Sequence, residues 1–135
     1  SLMFLFLMTI IGLNALNSST SDERMALNTQ HQQQVFHAAE SAINVAKRDV
    51  TTLETAITTG AAPPIDYTGQ NYVTANAQVT YVGCGLPGAG FGLGAGGFVN
   101  HEFGITGNAS LGASSAQATH LQGVDLLAPM AGESC

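Results

Sequence analysis

SLMFLFLMTIIGLNAL (residues 1–16) opens the chain, which crosses a polar patch, NSSTSDER (residues 17–24), and continues as MALNTQHQQQVFHAAESAINVAKRDVTTLETAI (residues 25–57) with no proline before Pro63. This pattern predicts one long N-terminal helical stem over residues 1–59, apolar at its start and amphipathic at its end. A helix that is apolar all round must be buried, and the rest of a 135-residue chain cannot cover it. The candidates for what does cover it are a bilayer and other copies of the same stem.

The lower stem carries the cleanest periodicity. Phe36, Ala39, Ile43, Ala46, Val50, Leu53 and Ile57 recur at alternating steps of three and four, which lays a narrow apolar stripe along one helix face. Such a stripe either covers the core of the remaining chain or forms a coiled-coil seam. Lys47, Arg48, Asp49 and Glu54 lie off it and read as a solvated face.

Composition narrows the class. Hydrophobic residues make up 45% and charged residues 9%, low against the roughly one quarter usual for soluble domains, which suits a subunit buried among neighbours. A net charge of −6 with three Lys or Arg excludes nucleic acid as a partner, because phosphate binding needs clustered cations. Cys84 and Cys135 are the two cysteines and fit no metal or haem spacing. A disulfide between them is the better reading and implies an oxidising compartment, and a loop of this length is worth about 4 kcal/mol in the chain-entropy account. The alternative is two buried thiols.

The apolar run of residues 1–16 spans about 24 Å as a helix, short of a hydrocarbon core of roughly 30 Å. It has neither the basic n-region nor the cleavage site of a secretory signal. Gly12, Asn14, Asn17, Ser18 and Ser19 then weaken the helix, and Thr20 with Glu23 fits a capping box, so the stem is expected to break and restart there, the alternative being a continuous helix that is weak at this point. GAAPP (residues 60–64) ends the stem.

Residues 65–70 read as a linker into a head spanning residues 60–135. Val73, Ala75, Ala77, Val79 and Tyr81 alternate with polar residues and predict a strand; residues 98–106 predict a second, with Val99, His101, Phe103 and Ile105 on one face. Residues 116–127 predict a third, bent at Gly123. The expectation is an α+β fold, an antiparallel meander laid on the stem, with Val73, Val79, Phe103, Ile105 and Leu121 meeting Phe36, Ala39, Ile43, Val50 and Leu53 in the core.

Between the first two strands, GCGLPGAGFGLGAGG (residues 83–97) contains a GxGxxG match, but a strand rather than a helix follows, so it reads as a loop. His37 and Glu40 share a helix face without a second pair to complete a metal site. His31 lies in a glutamine-rich run, and His101 and His120 fall on strands. No catalytic motif is present, and no enzyme activity, cofactor or metal is expected. Asn17 and Asn108 head glycosylation acceptor patterns.

TIIGLNALNSSTSDERMALNTQHQQQVFHAAESAI (residues 9–43) resembles the N-terminal segment of PilX-type type IV pilins in Gly12 at the end of the apolar stretch, the Glu23-Arg24 pair, Asn28, and Ala38-Ala39-Glu40. HEFGITGNASLGASSAQATHLQGVDLLAP (residues 101–129) is similar to the end of that family, with a strand, a polar turn and an ATHLQG-like strand leading to Ala-Pro. The resemblance implies a type IV pilin-like fold and a structural subunit of an extracellular filament, held in the inner membrane before assembly and partnered by itself and other pilins. Its alternatives are a minor or tip pilin with a binding head and a secretion pseudopilin.

On that reading residues 1–21 are the membrane and filament-core segment, in which Leu2, Phe4, Leu5, Phe6, Leu7, Ile10, Ile11 and Leu13 pack side by side in a dry core where only helix is tolerated. Residues 14–19 are expected to be extended in the filament and helical or fluctuating in the membrane-bound monomer.

Overall fold

The structure, a computed structural model, describes residues 2–68, 73–85, 98–112 and 114–129, without the side chains of Asn17 and Pro129. Helix α1 runs from Leu2 to Arg48 and helix α2 from Val50 to Thr59. Four strands follow: β1 (Ile65–Thr68), β2 (Val73–Gly85), β3 (Phe98–Leu111) and β4 (Gln117–Pro129). They form one antiparallel sheet in sequence order, and α1 lies across one face of it. The α+β architecture expected from the sequence is the one observed.

Four features differ from the expectations. In this single chain α1 is continuous through residues 12–21, so Thr20 and Glu23 sit in mid-helix rather than at a restart. The interruption comes at Asp49, whose backbone is extended at φ −87 and ψ 95. Lys47 and Arg48 close α1, where cations favour the negative helix end, and the Asp49 carboxylate caps α2 by accepting from Thr51 N at 3.2 Å, Thr51 Oγ1 at 2.6 Å and Thr52 Oγ1 at 2.7 Å. The weak helix formers of residues 12–21 lower helix propensity without breaking the hydrogen-bond ladder of α1. At least three hydroxyls along the helices, those of Thr9, Thr29 and Ser41, donate to the carbonyl four residues back and so do not compete with the helix.

The second difference is the core stripe. Ala39, Ile43, Ala46 and Leu53 are buried as expected, but Phe36 is exposed and Val50 is 59% exposed. Val35, Ala38, Ala42 and Ala56 are buried instead. Small side chains make the contact because the sheet comes close. A Cβ on Gly107 of β3 would stand 2.8 Å from the Ala39 carbonyl oxygen and 2.7 Å from Ile43 Cγ1. Phe36 packs edge-on against the His120 ring at the rim, with centroids 4.4 Å apart.

Third, residues 65–68, expected within a linker, form β1, in which Ile65 pairs with Ala77 and Tyr67 with Ala75. Fourth, Leu121 is not in the core but 77% exposed. Register sets its face: Phe103 stands opposite Val124 and Ile105 opposite Gln122, so Leu121, opposite Thr106, points to the outer side. Val73, Val79, Phe103 and Ile105 are buried as expected, with Phe103 at 1% exposure. A register shift after Tyr81 leaves Val82 bulged outward.

Gly60 ends α2 in the left-handed conformation, φ 84, with its N–H donating to Ala56 O at 2.8 Å. Most of the glycine-rich stretch, residues 86–97, and Cys135 lie outside the described residues.

Candidate assembly surface

The core of the head is apolar among the described residues. Among the described residues no polar or charged side chain is buried, and no group of three His, Cys, Asp or Glu is placed to hold a metal ion. His37 Nδ1 and Glu40 Oε2 approach to 3.7 Å on the exposed face of α1, a surface pair worth little. His101 bonds Tyr81 within the head: its Nδ1 lies 3.2 Å from the Tyr81 hydroxyl. The ionisation of Asp49 is perturbed. Hydrogen bonds from Thr51 and then Thr52 hold its carboxyl below the ordinary range, which is the signature of a cap.

The surface that stands out is the first half of α1. All described side chains of residues 2–30 are exposed, and contact with the sheet begins around Val35. Leu2 is 86% exposed, and Phe4, Leu5, Phe6, Leu7, Ile10, Ile11 and Leu13, the other expected filament-core residues, are bare as well. They surround the helix instead of forming a stripe, so no single globular surface could cover them. Full burial of side chains of this kind stabilises by roughly 1.5–3 kcal/mol each. Among the described residues before Asn14, the one side-chain hydroxyl, Thr9 Oγ1, donates to Leu5 O at 2.7 Å and so is satisfied in a dry environment.

Gly12, Asn14, Asn17, Ser18 and Ser19 follow on the same continuous helix, and the first charges arrive at Asp22, Glu23 and Arg24. The uncharged part from residue 2 to residue 21 is therefore about 30 Å long, of which the apolar run ends at Leu16. By length and composition α1 can cross a membrane, and none of its most apolar window is buried within the chain.

Rigid attachment completes the arrangement. The same helix that is bare at its start is locked into the head by Val35, Ala39, Ala42 and Ala46, and Gln32 Nε2 donates to Gln117 O at 3.2 Å near the junction. The sequence signalled the bare segment fully and the capping role of Asp49 only faintly, through basic residues followed by Asp and two threonines.

No curated protein and no solved structure matches the chain. Residues 1–44 match the family model described as PilX N-terminal, so this part of the chain, from the bare segment to the first buried positions of α1, is similar in sequence to the N-terminal segment of PilX-type type IV pilins.

Proposed function

We propose that this chain is a structural subunit of a type IV pilus-like extracellular filament, joined to its own copies and to other pilins through the bare part of α1 and held in the inner membrane before assembly. The observation that carries the reading is a helix apolar on every side, uncovered by its own chain, and continuous with a helix fixed in the head. In the filament Leu2, Phe4, Leu5, Phe6, Leu7, Ile10, Ile11 and Leu13 form the dry core.

Two finer features belong to this proposal. Residues 14–19 extend in the filament, where their side chains satisfy the backbone groups that leave the helix, and helix resumes at Thr20 and Glu23. Cys84 pairs with Cys135, tying the end of the chain to β2 in an oxidising compartment. Non-reducing mass mapping that found both thiols free would remove the second feature.

Electron microscopy of native filaments tests the whole. This chain repeating along the shaft is the expected result. A few copies at the tip would make it a minor pilin, and copurification with a secretion apparatus in place of filaments would make it a pseudopilin.

A further inference from the structure

The outer face of the sheet, turned away from α1, is divided in two. Towards one end it carries exposed Val82, Leu121 and Leu127, with Glu102 directly opposite Asp125. Towards the other it is wholly polar. There the register aligns Asp66 with Asn76, Asn76 with Asn108, and Asn108 with Thr119, a rung that crosses all four strands. In the next rung Thr74 stands opposite Ser110.

These side chains hold one another. Thr119 Oγ1 donates to Asn108 Oδ1 at 2.9 Å, Asn108 Nδ2 donates to Asn76 Oδ1 at 3.5 Å, and the Thr74 and Ser110 hydroxyls share a bond of 3.2 Å. The rungs are thereby oriented, while the Asn76 amide N–H groups, the Asp66 carboxylate oxygens and further hydroxyl lone pairs stay available. Together with Tyr67, Ala75, Ala109 and Ala118 of the rung between, they line an open cavity of about 430 Å3.

We infer that this groove binds a neutral saccharide chain. Sugar hydroxyls both donate and accept, as the rungs do, and side chains already bonded to one another lose less entropy on binding. Anionic ligands are disfavoured: the chain has no Lys or Arg after Arg48, and the groove carries a carboxylate of its own. Apolar ligands find no large aliphatic residue in the lining, whose apolar members are Tyr67 and three alanines. Strand-adding peptides require a sheet edge, whereas the groove crosses the face. The polar groups repeat at about 4.8 Å across the strands and about 7 Å along them, a grid suited to a repeating polymer. A single open groove of this kind binds at about millimolar strength. Many copies on one filament would raise that by avidity, and this amplification alone rests on the filament reading.

The test is amide chemical-shift titration of the isotope-labelled full chain in zwitterionic micelles with cellohexaose, maltoheptaose and a lactosamine oligomer, alongside polygalacturonate as the anionic counterpart. The expected result is saturable shifts at Asn76, Asn108, Ser110 and Thr119 with at least one neutral oligomer. Binding weakens about tenfold in Asn108→Ala and in Asp66→Ala, and is unchanged in Leu121→Ser. No saturable shift at those amides up to about 20 mM, indifference to Asn108→Ala, or preference for polygalacturonate would each overturn it. Micelles keep the chain from polymerising, so a failure here is separate from a failure to form filaments.

Discussion

Replacing Gly107 by alanine adds one methyl group where α1 and the sheet come closest. The new Cβ would lie 2.8 Å from the Ala39 carbonyl oxygen, 2.7 Å from Ile43 Cγ1 and 2.9 Å from Ile43 Cδ1. Ile43 is buried and has little room to turn, and the Ala39 carbonyl belongs to the helix backbone. Ordinary contact begins near 3.4 Å, so α1 must retreat by about 0.6 Å. A gap of that size forfeits a quarter to a half of each dispersion contact along Ala38, Ala42 and Ala46, and with the overpacking strain the loss is about 2–4 kcal/mol. Gly123→Ala is the control. It meets nothing within 4 Å, and an alanine in a strand should be neutral or stabilise by up to about 1 kcal/mol. Reversible denaturation of the full chain in micelles, followed by near-ultraviolet circular dichroism, compares the two. If they lie within about 0.5 kcal/mol of each other, the close approach described above is wrong.

Three further outcomes follow from the same structure. Phe103→Ala should cost about 3–5 kcal/mol, whereas Leu121→Ser should stay within about 0.5 kcal/mol; the same melting curves check both. Asp49→Ala should destabilise the α2 end of the head, seen as faster amide exchange at Thr51 and Leu53. Because hydrogen bonds depress the Asp49 carboxyl pKa in the folded state, the stabilisation it gives is complete above the ordinary carboxylate range and disappears as pH falls through the lowered value; Asp49→Ala should erase that dependence. Ile11→Asp should abolish filaments on microscopy while leaving the head's melting unchanged, since Ile11 is bare in the single chain; a comparable loss of head stability would contradict this.

Much of the fold could be read from residue order, and the misreadings share a cause. The alternation of β2 and the inner face of β3 were legible because large apolar residues mark one side. The apolar stripe is one residue off at Phe36, where Val35 is buried instead, and fails at Val50, the first residue of α2 beyond the interruption at Asp49, since periodicity weights large side chains while α1 buries alanines against the sheet near Gly107. Leu121 and Leu127 share one parity of β4, Val124 and Leu126 the other; only pairing with Phe103 and His101 decides between them. Residues 65–68 are too short to show a period and become a strand by pairing with β2. The bare segment needed no tertiary information, because a run apolar on every side declares itself, whereas the polar groove on the outer face exists only through register across four strands.

The interruption at Asp49 has a mechanical side. An alanine-faced helix against glycine is smooth along its axis, and a straight rod so held could slip by a turn, about 5.4 Å, when pulled from its free end. The extended backbone at Asp49 turns the chain off that axis, and Leu53 and Ala56 bury α2 in the head beyond the bend. Tension applied at the bare end is thus met by a barb, and to draw α1 out the head must first give up α2.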